Sequence, residues 1–328
     1  MQWLLPEGVD EILPPGGWVL EDIRRRLLDE FRQRGYELIL PPLVEHADAL
    51  LSGVGSDLDL QTFRLTDQLS GRQLAVRADI TPQAARIDAR HLAASGIARV
   101  CYLGTVMRTR PDVPGGARCY RQLGAELFGD DSVQADAEVI GVMLTMLQLC
   151  ELQDVHLDLG HVGVFRALAG QLGLQAQDEQ TLFDLLQLKA VGDLQAWCAA
   201  QGLSSAQSDD LVALCTLHGG PEVLERARAR FAQQPEVMQA VDTLDTLCAA
   251  LKSQGWKQPV HLDFAELHGY RYHTGVMFAA YRPGQGRELA RGGRYNGVGA
   301  NFGADRPATG FSADLNRLVS LGHGLKES

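Results

Sequence analysis

Residues 163–257 read as leucine- and alanine-rich helical segments parted by short breakers, whereas the stretches on either side carry strand, turn and glycine signals. A sheet built from such a chain must draw its strands from both sides of a helical block. That restricts the fold to α+β, with residues 1–162 and 258–328 as two parts of one core and 163–257 as an inserted helical domain. Within the block the spacing predicts helices over 164–172, 179–188, 193–200, 209–217, 221–233 and 236–253, with Pro221 in a first turn.

Outside the block, Leu20, Ile23, Leu27 and Phe31 recur at helical spacing after Pro14-Pro15-Gly16-Gly17, and Gly35 ends that helix. Residues 36–40 follow as a short buried strand closed by Pro41-Pro42, because proline donates nothing to a sheet ladder. Further strands are expected at 73–77, 100–103, 118–128, 155–159, 260–266 and 275–281, with a core helix at 133–150 and a closing helix at 312–321. Short β-turn-β links favour antiparallel pairing.

Composition narrows the function classes. A balance of 30 Lys+Arg against 41 Asp+Glu, net charge -11, opposes a broad basic face for nucleic acid. The cysteines are scattered, with no C-x-x-C and no short-spaced histidine, which points to reduced thiols in the cytoplasm and no zinc site. The N-terminal segment lacks a basic n-region and is broken by Pro6, Pro14 and Pro15. The most apolar stretch, 139–149, is too short to span a bilayer, so no membrane attachment is expected.

Four stretches carry chemistry. In RCYRQLGAELFG (118–129), Gln122 and Glu126 lie four apart on a strand and share a face, so an amide and a carboxylate can floor a polar pocket; a solvated face fits the same spacing. After the apolar strand at 73–77, the Asp79 carboxylate and Thr81 hydroxyl suit an ammonium group. Either residue also fits as an N-cap before Pro82 and a helix over 83–94. Residues 267–275 concentrate His268, Tyr270, Arg271, Tyr272 and His273, a loop suited to closing over a small polar ligand and not spaced for a metal. The run 291–297, RGGRYNG, reads as a flexible basic turn.

In this order the segments resemble the core of histidyl-tRNA synthetase, a class II aminoacyl-tRNA synthetase, over nearly the whole chain. LPEGVDEILP (5–14) is similar to that family's opening P-x-G-x-x-D-x-L-P, and the helix–strand–Pro41 unit resembles motif 1, its dimer-forming element. Residues 121–129 resemble the Q-L-G-x-E-x-F-G end of motif 2, 268–275 the R-G-L-D-Y-Y-T-G histidine loop, and 291–317 the G-G-R-Y-D-G run into motif 3. The resemblance implies a class II synthetase-like antiparallel sheet flanked by helices.

The departures are as informative. The loop arginine used in catalysis by the synthetase is His268 here, its aspartate is Arg271 and its last tyrosine is His273, which removes the expected transition-state stabiliser. VMRTRP (106–111) lacks the F-R-x-E pattern that engages ATP, and either Arg108 or Arg110 matches the family arginine. In motif 3, Asp314 replaces a glycine and Asn316 a glutamate, and a carboxylate there would repel phosphate. The chain stops soon after, so no anticodon-binding domain and no tRNA partner are expected.

That combination resembles the regulatory subunits of ATP phosphoribosyltransferase, synthetase paralogues in which the third strand leads into R-x-D-x-T-P, as at 77–82 here. The resemblance implies a non-catalytic chain without cofactors, required by a short-form catalytic subunit in a hetero-octamer and involved in histidine feedback inhibition; a truncated or divergent histidyl-tRNA synthetase is the alternative. It also implies a site for L-histidine, with Asp79, Thr81 and Gln122 on the α-ammonium and Glu126 on the imidazole. Tyr272 and His273 would close that site, Arg108 would be among its binding residues, and His268 or Arg271 would face the carboxylate. Self-association through the motif 1-like helix is expected.

Overall fold

In the computed structural model, which describes residues 4–52, 56–113, 115–267, 269–270 and 272–324, the spaced apolar residues Leu20, Ile23, Leu27 and Phe31 become the buried stripe of α1 (Gly16–Gln33). Gly35, at φ 79°, turns the chain out of that helix. There follow β1 (Glu37–Leu38), β2 (Val44–His46), α2 (Ala47–Leu50), α3 (Ser56–Leu60), β3 (Phe63–Thr66), β4 (Gln73–Val76) and α4 (Thr81–Ile87). Next come β5 (Ala98–Met107), β6 (Cys119–Phe128), α5 (Val133–Leu149), β7 (His156–His161) and the helices α6 (Val162–Leu172), α7 (Ala176–Gln187), α8 (Val191–Ala200) and α9 (Ser205–Thr216). The chain ends through β8 (His218–Gly219), α10 (Val223–Phe231), α11 (Pro235–Ser253), β9 (Val260–Asp263), β10 (Val276–Tyr281), β11 (Ala290–Arg294), β12 (Ala308–Asp314) and α12 (Leu315–His323).

These elements form two compact units: the described residues of Met1–Asp131, Glu138–Gln153 and Tyr295–Ser328, and those of Ser132–Ala137 and Asp154–Arg294. The first unit holds the strand order β1-β5-β6-β12 and a small antiparallel sheet β2-β4-β3. The second holds β11-β10-β7-β9-β8 with helices α6 to α11. Most pairs are antiparallel, but β1 with β5 and β7 with β9 run parallel, which corrects the purely antiparallel expectation to a mixed sheet. The chain between the members of each parallel pair passes through helices, the long return that parallel strands need.

Four local expectations change. Residues 36–40 supply only the two-residue β1, whose side chains are exposed, while Tyr36 beside it is buried and donates to Glu138 at 3.1 Å. The helix expected over 83–94 is α4 continued by a π-helical turn at Asp88–Leu92, where buried Asp88 receives Arg306 at 3.0 Å. The supposed loose turn at 291–297 contains β11, and its Arg294 is a buried partner of Asp136 at 3.1 Å. The closing helix starts at Leu315, because β12 runs on to Asp314.

Local chemistry sets the helix starts in the second unit. The α9 start lies four residues before the expected 209 because Ser204 and Gln207 form a capping box, the Ser204 hydroxyl accepting from the Gln207 N–H at 3.3 Å. Ser204→Ala should cost about 1 kcal/mol of unfolding free energy, measurable by urea denaturation.

Candidate ligand-binding site

The site in the first unit is built on the bend after β4. Arg77 is buried there and donates to the carbonyls of Thr105 and Pro41, each at 2.8 Å. Gly104 makes room for it: a Cβ at that position would lie 2.4 Å from Arg77 Nη2. With the bend pinned, Asp79 Oδ1 accepts from the Thr81 N–H at 2.8 Å and from Gln122 Nε2 at 2.9 Å. Gln122 in turn accepts from the Ile80 N–H at 2.9 Å, so its amide is clamped at both ends. Neither Asp79 nor Thr81 is the N-cap of α4. Ile80 occupies that position and Asp79 instead closes a turn onto Thr81.

From Thr81 a second chain of hydrogen bonds runs inward. Its hydroxyl meets the Tyr102 oxygen at 2.9 Å, Tyr102 donates to Glu126 Oε1 at 2.9 Å, and Tyr295 donates to Glu126 Oε2 at 2.6 Å. Gln122 and Glu126 are both buried, so their shared face is an interior one and not a solvated one. Backbone register makes this possible. Tyr102 lies opposite Gly124 in the β5–β6 pair, and Gly310 lies opposite Glu126 in the β12–β6 pair. A Cβ on Gly124 would fall 2.4 Å from the Tyr102 ring, and one on Gly310 would fall 1.5 Å from Glu126 Oε2.

The electrostatics follow from that enclosure. Burial pushes the Glu126 carboxyl up to about 8, although the hydrogen bonds from Tyr295 and Tyr102 oppose the rise; the charge of Asp79 adds to it. Burial, with Glu126 and Asp79 nearby, holds the Tyr102 phenol well above its ordinary range. Arg108 is buried, donates to the Ala78 carbonyl at 3.2 Å and forms a short ion pair with Asp112, whereas Arg110 is exposed. Burial opposes the charge of Arg108, but Tyr120, Asp112 and Asp79 outweigh it and raise its pKa. The Arg108 guanidinium thus lies within the electrostatic reach of Asp79.

Of the residues singled out in the sequence, Asp79, Thr81, Gln122 and Glu126 are joined in one network, with Arg108 beside Asp79. Tyr272 and His273 belong to the second unit, where their rings meet edge to face at 5.7 Å and Arg166 donates to the His273 carbonyl at 2.7 Å. His268 and Arg271 lie outside the described residues. Sequence reasoning missed Arg77, Tyr102, Tyr295 and the glycines that admit them. Only strand register, which a single chain does not display, brings them together. Asp314 also has a structural task, since it accepts from the Arg317 N–H at 3.2 Å and caps α12. Among the described residues, no group of three or more metal-ligating side chains is placed to hold an ion.

This order of segments is shared with known proteins. The family model described as histidyl-tRNA synthetase matches residues 8–318. An ATP phosphoribosyltransferase regulatory subunit of Chromohalobacter salexigens is 51% identical over 321 residues, 98% of this chain and 82% of that protein. The one from Thiobacillus denitrificans is 51% identical over 320 residues, 98% of both chains. The chain belongs to this family of regulatory subunits, within the histidyl-tRNA synthetase group. A crystal structure of an ATP phosphoribosyltransferase regulatory subunit/histidyl-tRNA synthetase from Bacillus halodurans superposes with a TM-score of 0.87 at 29% identity, covering 98% of this chain and 83% of that one. The fold is therefore the class II synthetase-like one, and membership is that of a regulatory subunit.

Proposed function

We propose that this chain assembles with a short-form ATP phosphoribosyltransferase catalytic subunit, switches it on, and carries the L-histidine site through which the product of the pathway restrains the first step. The observation that carries the reading is the joined set Asp79, Thr81, Gln122 and Glu126, combined with altered residues at the synthetase's catalytic loop positions. Asp79, Thr81 and Gln122 present acceptors for an α-ammonium, and Glu126 with its two tyrosines presents a polar wall for an imidazole. Tyr272 and His273 close the site, and His268 or Arg271 meets the ligand carboxylate. Arg108, which donates to the Ala78 carbonyl at 3.2 Å, completes the histidine-binding set.

The assembly in this reading is a hetero-octamer in the cytoplasm, with 163–257 as an inserted helical domain and no tRNA partner. Two copies of this chain associate through the motif 1-like helix, consistent with exposed Trp18 on that helix and exposed Leu13 and Leu40 on either side of it in sequence. No helix among the described residues is long and apolar enough to cross a membrane. Feedback requires that histidine bind two states of the complex with different affinity.

The test is phosphoribosyl-ATP formation by a competent short-form catalytic subunit, with and without this chain, across a histidine titration, with the mass of the mixture followed by light scattering. Activity should rise at least tenfold on adding the chain and fall again with histidine. No activation at saturating chain, or robust histidine-dependent ATP–pyrophosphate exchange by the chain alone, would overturn the reading in favour of a synthetase.

A further inference from the structure

The loop at 267–275, which supplies Tyr272 and His273, is built from overlapping turns. The Tyr270 N–H donates to the Leu267 carbonyl at 2.9 Å, and the Tyr272 and His273 N–H groups donate to the Gly269 carbonyl at 2.8 and 2.9 Å. Its trailing end is tied to the sheet, where Thr274 donates to the Arg294 carbonyl at 2.7 Å and the Gly275 carbonyl accepts from Val162 at 3.0 Å. Val162 is also the first residue of α6. The helix that opens the helical block therefore starts against the end of this loop.

The middle of the loop meets that block in two ways. Tyr270 is buried, with its ring stacked on Phe183 of α7 at 4.5 Å and 27° and set edge-on to Phe165 of α6 at 5.3 Å and 78°. Phe165 and Phe183 themselves meet at 6.4 Å, so the three rings close a triangle whose sides all fall in the range of favourable aromatic pairs. Arg166, the next residue of α6, donates through Nη2 to the Tyr270 carbonyl at 2.9 Å and to the His273 carbonyl at 2.7 Å. The turns use the carbonyls of Leu267 and Gly269, and the guanidinium takes those of Tyr270 and His273 with a charged donor. Those two bonds bracket Tyr272. Tyr272 and His273 are left half-buried, whereas Tyr270 is spent on the helices.

We infer that Arg166 and the Phe165–Phe183 pair are positioning residues for this loop: α6 and α7 set the placement of Tyr272 and His273, and through it the affinity for L-histidine. The inference rests on the proposed histidine site for its ligand and on the contacts of α6 and α7 for its mechanism. A loop already ordered in the free chain lowers the entropy cost that binding must meet. A change in the packing of α7 on α6 reaches the ligand through Tyr270, although none of the three positioning residues is in the ligand set.

The test uses the full chain and the variants Arg166→Met, Arg166→Lys and Phe183→Leu. Arg166 is exposed, so methionine removes its donors without opening the core, and lysine restores a charged donor. Without ligand, amide hydrogen exchange read by mass spectrometry should rise about tenfold in the peptide covering 267–275 of Arg166→Met and Phe183→Leu. Exchange in β6 should stay unchanged, and Arg166→Lys should fall between Arg166→Met and the wild type. Calorimetry with L-histidine should show an affinity about five- to tenfold weaker in Arg166→Met and Phe183→Leu, with most of it recovered in Arg166→Lys and the melting temperature of both Arg166 variants unaltered. Loop exchange equal to wild type in Arg166→Met and Phe183→Leu overturns the inference. So does faster exchange that extends through β6 with a lowered melting temperature in Arg166→Met, which would make Arg166 a residue of general stability. Faster loop exchange with wild-type affinity for L-histidine overturns the link to the ligand. A wild-type chain that fails to bind L-histidine would instead overturn the histidine-site reading, and the exchange measurement would still decide whether α6 and α7 position the loop.

Discussion

Gly310→Ala should be the most damaging single-atom enlargement in the first unit. The added Cβ would sit 1.5 Å from Glu126 Oε2, 2.5 Å from Glu126 Cδ and 2.8 Å from the Ala125 carbonyl oxygen. Glu126 cannot withdraw, because Tyr102 and Tyr295 hold its two oxygens and the strands on both sides of β6 fix its backbone. The strain therefore falls on the β6–β12 pairing or on the hydrogen bonds of the site. Overpacking of this kind costs on the order of 3 kcal/mol, which in a unit of this size lowers the melting temperature by about 6–12 °C. The variant should also give no L-histidine binding heat in calorimetry. Gly170→Ala is the matched control. Gly170 lies within α6 with nothing inside 4 Å of its added Cβ, so alanine there should stabilise the chain by about 0.5–1 kcal/mol. A Gly310→Ala protein that melts like the wild type and binds histidine normally would remove the claim that this glycine shapes the site.

The contrast between those two glycines shows what was legible in the sequence. Helical spacing disclosed the α1 stripe, and the strand spacing of Gln122 and Glu126 disclosed a shared face. Those are properties of neighbouring residues. The need for glycine at 310 depends on Glu126 arriving opposite it across a strand pair, and the role of Tyr102 depends on its meeting Gly124. Such meetings are set by register between distant segments. Arg294 illustrates the opposite error, since a glycine-rich basic run looks mobile until Asp136 is found against it. Asp314, expected to repel phosphate, also caps α12.

Glu126 is expected to dominate the pH dependence of the first unit, and the sign can be worked out. Its carboxyl is raised from the usual 4.5 to about 8 by burial, so the folded chain keeps a proton that the unfolded chain releases between those values. Folding binds a proton across this window, and stability from this group falls as pH rises from about 4.5 to about 8. Glu126→Gln removes the ionisation while keeping the shape and one acceptor oxygen. Wild type and variant should therefore converge near pH 4.5, and the variant should gain by several kcal/mol toward pH 8.5, at about 1.4 kcal/mol per unit of pKa shift. Urea denaturation of both proteins at a series of pH values reads this directly, and parallel curves would show that Glu126 keeps an ordinary pKa. Binding should respond differently from stability. Glu126→Ala takes away the acceptor of Tyr102 and Tyr295 together with the proposed partner of the ligand imidazole. Above about pH 8, where the carboxylate is ionised, L-histidine affinity should then fall about tenfold or more, equivalent to roughly 1.5–3 kcal/mol for a charge-assisted hydrogen bond. Glu126→Gln, which can still accept through one oxygen, should lose less. Equal calorimetric affinity in all three proteins would separate Glu126 from ligand recognition and leave it only the task of holding two tyrosines between the strands.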